Sequence, residues 1–90
     1  MDYHVLTPQT GAMLRAARHR RGLSIREAAK VAGSSRGYLS QLELGQRAPS
    51  MTTARIIIRA YHLTEQEASI LKAESVEGVG RDKPRAKAAA

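Results

Sequence analysis

Hydroxyl residues and glycines punctuate this chain at short intervals, and that punctuation restricts the fold more than any other feature. Thr7 followed by Pro8 is a cap followed by a residue suited to the first helical position. Leu14, Ala17, Arg18 and Arg21 then run on to Gly22, a stop, which predicts a helix over roughly 8–21. Ser24-Ile25-Arg26-Glu27 fits a capping box, in which the serine hydroxyl and the glutamate carboxylate each satisfy an orphan backbone N–H. The helix it opens carries Ile25, Ala28, Ala29 and Ala32 on one face and reaches Gly33. After Gly33-Ser34, Ser35 can cap a third helix ending near Glu43, before Gly45, with Leu39 and Leu42 facing inward.

Ser50 can cap a fourth helix with an apolar stripe of Ala54, Ile57, Ile58 and Tyr61 and a polar one of Arg55, Arg59 and His62. Thr64-Glu65-Gln66-Glu67 is a second capping box, opening a fifth helix over about 65–73 with Ala68 and Leu71 inward. No strand-like alternation and no internal repeat occurs, so the fold class is all-α: a compact five-helix bundle. The expected organisation is an N-terminal arm over 1–7, a folded domain over 8–73 and a basic, disordered tail over 74–90.

Ninety residues give one module, with little material for a catalytic cleft beside a core. Fifteen Lys and Arg against eight Asp and Glu give a formal charge of +7, which favours an anionic partner, nucleic acid or an acidic membrane surface. No apolar run approaches the ~18 residues of a membrane span, and the first residues lack the order of a secretory signal, so the expectation is a soluble protein of the cytoplasm. Without cysteine there is no disulfide or thiolate metal site. His4, His19 and His62 are too scattered for a ligand set, so neither metal nor cofactor is expected. No nucleophile–base set or stacking-aromatic sheet motif is visible either, and neither an enzyme nor an RNA binder is expected.

Two short helices joined by a glycine-containing turn describe many proteins, but the particular residues say more. The spaced set Leu14-Arg15-x-x-Arg18, Arg21-Gly22-Leu23-Ser24, Glu27-x-Ala29, Gly33-x-Ser35-Arg36, Leu39-Ser40-Gln41-Leu42-Glu43-x-Gly45-x-Arg47-x-Pro49-Ser50 closely resembles the lambda-repressor/Cro-like helix-turn-helix family, also called the xenobiotic-response-element type. The resemblance covers roughly residues 8–73. It implies a prokaryotic, sequence-specific regulator of transcription, a repressor by default. Such a protein lays the second helix of the motif in the major groove of double-stranded DNA and reads an inverted repeat as a homodimer.

Position by position, the resemblance makes Arg36, Gly37, Ser40 and Gln41 the residues that reach base edges. Arg36 has the chemistry to bind guanine O6 and N7, and Gln41 that to bind adenine N6 and N7; a solvated charge or a phosphate contact is the plainer role for each. Gly37 suggests either close approach to the groove, room for Tyr38, or simple tolerance. Tyr38 either meets the DNA backbone or packs against the second helix. Ser24 and Ser35 are caps and, by resemblance, phosphate clamps; Gly45, Gln46 and Arg47 look like the phosphate-contacting loop, with Arg26 and Lys30 assisting electrostatically.

The resemblance also implies a structural ion pair between Arg18 and Glu43. Leu14, Leu23, Leu39, Leu42, Ile57, Ile58 and Leu71 are core candidates. Ile25 and Leu44 depart from the family, standing where relatives carry glutamine and asparagine, so two polar phosphate contacts are replaced by apolar side chains. Ala28 and Ala32 replace larger aliphatics, which leaves either closer helices or space for Met13 or Tyr61. Ile56, Ala60 and Leu63 form a further apolar stripe, read as a dimer contact or as extra core packing. The alternative function is an antitoxin-type or adaptor protein that binds a protein partner and controls its own operon.

Overall fold

A computed structural model describes residues 5–76. Five helices follow in order: α1 (Pro8–Arg20), α2 (Ile25–Ala32), α3 (Arg36–Glu43), α4 (Met51–Ala60) and α5 (Glu65–Glu74), with no strand among the described residues. Each begins at a hydroxyl residue in extended conformation, Thr7, Ser24, Ser35, Ser50 or Thr64, whose side chain accepts from the N–H three residues on. At Ser24 and Thr64 the reciprocal bond from the N-cap N–H to Glu27 or Glu67 is also made. The turn between α2 and α3 needs Gly33, whose φ of 68° lies in the left-handed region.

Packing forms a ring in which α3 sits between α1 and α2, α4 packs on α2, and α5 closes on α4 and α1. Leu14, Leu39, Leu42, Ile57 and Leu71 are fully buried at its centre, while Leu23 and Ile58 are half-buried at its edge. The small side chains of α2, Ala28, Ala29 and Ala32, join the same cluster as the wholly buried Tyr61, and Met13 packs against it. Both larger residues therefore pack against the cluster to which these alanines belong.

The packed unit extends past 8–73 on both sides. Leu6 is fully buried and its N–H donates to the Arg47 carbonyl at 3.2 Å; the Val76 N–H donates to the Pro49 carbonyl at 2.9 Å. Glu74 accepts from the Thr7 N–H at 2.8 Å and the Thr10 hydroxyl at 2.7 Å, tying the end of α5 to the start of α1. Leu6, Thr7, Glu74 and Val76 thus make contacts with the bundle, and residues 1–4 of the expected arm and 77–90 of the expected tail lie outside the described residues.

The Ile56, Ala60 and Leu63 stripe is not an exposed surface. Ile56 is 40 % exposed, but Ala60 is 4 % exposed and Leu63 is half-buried against the core. Ile56 and Ala60, four residues apart, share a side of α4, whereas Leu63 lies beyond the end of that helix. Ala60 belongs to the core cluster and Leu63 packs against it, so only Ile56 of the three stays exposed.

Candidate nucleic-acid interface

With Leu39 and Leu42 buried, the opposite side of α3 carries Arg36, Gly37, Ser40 and Gln41 in solvent. Ser35 accepts from the Tyr38 N–H at 3.1 Å, and the first turn of α3 contains no acidic residue. The positive end of this helix, roughly half a unit charge, is therefore not opposed by a carboxylate of its own, and Arg36 adds a full charge there. A Cβ at Gly37 would meet nothing within 4 Å, so no packing within the protein demands glycine at that position.

Tyr38 is half-buried against the core, and the Arg47 guanidinium lies 4.9 Å from its ring centroid. Arg47 also donates to Gln41 Oε1 at 3.4 Å, and the Gln46 N–H donates to the Gln41 carbonyl at 2.8 Å. The loop after α3 is thereby drawn onto the helix it follows, which brings Arg47, Tyr38 and Gln41 together. Gly45, with φ of 74°, is half-buried in that loop, while Gln46 is exposed. Ser24, Arg26 and Lys30 are exposed on α2. The Ser24 N–H is taken by Glu27 Oε1 at 2.8 Å, and this bond, followed by the one to the serine hydroxyl, holds the Glu27 carboxyl below its usual range.

Behind this face α3 is fixed by a buried polar network. Arg18 donates from Nε to Glu43 Oε2 at 2.8 Å and from Nη2 to Oε1 at 2.9 Å, while its Nη1 donates to the Leu23 carbonyl at 2.9 Å. The Tyr61 hydroxyl donates to Glu43 Oε2 at 2.7 Å. Hydrogen bonding to Glu43 raises the pKa of Arg18; burial first, then the Glu43 bond, pushes that of Tyr61 far up. One guanidinium thus reaches both the end of α3 and the residue before Ser24, setting the two helices of the motif in a single frame.

A family model described as a helix-turn-helix domain matches residues 9–70. The chain belongs to the helix-turn-helix domain family. Within it the chain falls in the lambda-repressor/Cro-like superfamily, and DNA binding by a regulator is the activity that such a domain suggests. No curated protein and no solved structure matches the chain.

In this helix-turn-helix the two apolar departures meet. Ile25 and Leu44, the latter 60 % exposed, line a shallow cleft of about 290 Å³ with Arg15 and Ser40, floored by the Arg18–Glu43 pair. Polar reach from these positions is absent, and Arg15 is the charged residue at the cleft not engaged in that pair. Among the described residues no group of three or more His, Asp or Glu could hold a metal ion, and no helix is long and apolar enough to cross a membrane.

Two supports of the site have no local signal in the sequence. A Cβ at Gly11 would stand 2.6 Å from the Glu43 carbonyl oxygen and 3.0 Å from the Gly45 N, so α1 touches the end of α3 backbone to backbone. Tyr61 was legible as core but not as the third member of the Arg18–Glu43 network. Its hydroxyl, which needs a partner once buried, is the only hint.

Proposed function

We propose that this protein is a sequence-specific transcriptional repressor of a prokaryotic cytoplasm, associated with the nucleoid, that binds double-stranded DNA as a homodimer with α3 in the major groove. The observation that carries the reading is the solvent face of α3: Arg36, Gly37, Ser40 and Gln41 side by side, with no carboxylate in the first turn, on a helix anchored from behind by Arg18, Glu43 and Tyr61. Arg36, Ser40 and Gln41 read base edges; Ser24, Ser35, Arg26, Lys30, Tyr38, Gly45, Gln46 and Arg47 hold the phosphates on either side. The protein acts by occupying its operator, a role that calls for binding and no reaction.

With Ala60 buried and Leu63 half-buried, self-association falls to the solvent side of α5, where Ile70 is 39 % exposed beside the exposed Ser69 and Ala73. Selection of duplexes from a random pool by the intact protein tests the whole reading. The expected outcome is an inverted repeat with half-site centres about one helical turn, roughly 34–36 Å, apart. Recovery of sequences with no shared motif, retained through charge alone, would sink it.

A further inference from the structure

One surface lies apart from the α3 face. Val31, 55 % exposed at the end of α2, and Ile56, 40 % exposed on α4, face a groove of about 200 Å³ that also touches Ala60, Arg21 and Arg59. Val31 lies about 120° round α2 from Ile25, the residue that borders the α3 cleft, so this is a different face of the domain. Two large aliphatic side chains left in water on either side of a groove mark a contact surface.

Charge selects the occupant. Arg21 is half-buried and held in place by its Nη1 bond to the Ala60 carbonyl; Arg59 forms no ion pair among the described residues, and Arg55 stands one turn before it. No carboxylate lines the groove. A second copy placed symmetrically here would set these arginines against each other. Residues 77–90 carry Arg81, Lys83, Arg85 and Lys87 against Glu77 and Asp82, so their net charge has the same sign again. A DNA backbone would satisfy the guanidiniums yet strand Val31 and Ile56 against phosphates.

We infer that the groove between α2 and α4 docks an acidic segment of a partner protein, one aliphatic side chain entering between Val31 and Ile56 while flanking carboxylates pair with Arg21 and Arg59. Guanidinium and carboxylate match as planar, two-point partners, and the aliphatic anchor supplies the apolar contact that a purely ionic ligand lacks. The segment binds while α3 remains open to DNA, so a bound partner and a bound operator are compatible.

The test uses the full chain with labelled methyl groups, a short synthetic peptide of Asp and Glu around a central leucine, and the same peptide with serine in place of leucine. The leucine peptide is expected to shift the Val31 and Ile56 methyl resonances, and the serine peptide to bind about tenfold more weakly or worse. Val31→Ser and Arg59→Glu, both at exposed positions, should each weaken the leucine peptide by a similar factor, with unchanged circular dichroism and melting; Val31→Ser should leave binding to duplex DNA intact. Equal binding of the two peptides would overturn the inference, as would shifts confined to α3. Methyl shifts that follow protein concentration alone would reassign the groove to a second copy. Displacement of the peptide from these methyls by duplex DNA would reassign it to nucleic acid.

Discussion

α2 and α3 have the same length and the same serine cap, yet their first turns are electrostatic opposites. At α2, Glu27 folds back on the Ser24 N–H, completing a capping box and laying a carboxylate on the helix's positive end. At α3 the third residue is Tyr38, which offers no such return, and Arg36 stands in the first position. α2 gains an additional local hydrogen bond and partly cancels its own end charge. α3 gives up that bond and keeps both the end charge and an arginine. The comparison teaches that the arrangement best for an isolated helix is not the one best for holding an anion. On this reading α2 braces the motif and α3 reads.

The largest expected effect breaks the frame that makes the two starts comparable. Glu43→Ala leaves the buried Arg18 guanidinium without its carboxylate and the Tyr61 hydroxyl without its acceptor. Loss of one partner of such a pair costs about 3–5 kcal/mol. Urea unfolding should show a lower midpoint with an unchanged slope. A loss below about 1 kcal/mol would mean that apolar packing alone positions α3. The double variant Arg18→Met with Glu43→Leu should recover much of the loss, because it leaves no unpaired buried charge.

Next in size is the contrast between the two arginines nearest these helix starts. Arg36→Ala should abolish preference at one symmetric guanine position of the selected operator, a discrimination of about 1–3 kcal/mol, with other preferences kept. Arg26→Ala should weaken good and poor sites alike. Titrations against every single-base variant, at one fixed salt concentration, separate the two. If Arg36→Ala also weakens all sites uniformly, α3 holds the backbone at this position and the contrast with α2 disappears.

Helix limits were legible in the sequence because capping is local. Thr7, Ser24, Ser35, Ser50 and Thr64 each bond a backbone N–H three residues away, and a spacing of three is visible in a linear string. The solvent side of α3 was legible from helical spacing, which turns Leu39 and Leu42 inward. Illegible features all depend on pairs far apart in the chain. Leu6 on the Arg47 carbonyl, Val76 on Pro49, Glu74 on Thr10 and Gly11 against Glu43 join segments whose meeting no periodicity encodes. For Ala60 the sequence left dimer contact and core packing open, because helical spacing assigns a side of the helix without saying what will cover it; the residue is buried.

Removing the serine caps is a smaller perturbation and sharpens the comparison directly. Ser→Ala at an N-cap costs ~1 kcal/mol, within a range of about 0.5–2. Ser24→Ala should cost more than Ser35→Ala, since the former also disrupts the geometry that brings Glu27 back to the N-cap N–H. Thermal melts of the two variants decide this. Equal losses would show that the returning carboxylate adds nothing to α2.

The smallest effect appears under acid and compares the two capping boxes. Glu67 is held at about 2, against an ordinary 4.5, first by its hydrogen bond from Arg20 and then by the Thr64 N–H; Glu27 is lowered chiefly by the Ser24 N–H and lacks an arginine. A carboxylate whose folded pKa is depressed contributes stability that is fully present above its unfolded value and is lost as pH falls through the folded one. Glu67 should therefore support α5 undiminished above 4.5 and lose that support progressively between 4.5 and about 2. Glu27, with one strong partner fewer, should protonate earlier in the descent, so that α2 frays at its first turn while α5 is still capped. Glu27 is exposed and the Arg20 partner of the half-buried Glu67 is half in solvent, so solvent screens both, the change in melting temperature will be modest and the order is the more telling readout. Carboxyl carbon shifts followed by NMR give that order, and amide exchange at Ser24 and Thr64 reports the bond to each carboxylate. Glu67→Gln should flatten the acid limb of the stability curve below 4.5 more than Glu27→Gln does. Should Glu67 protonate first, the Arg20 bridge is not formed in solution, and the α2 box would be the stronger of the two.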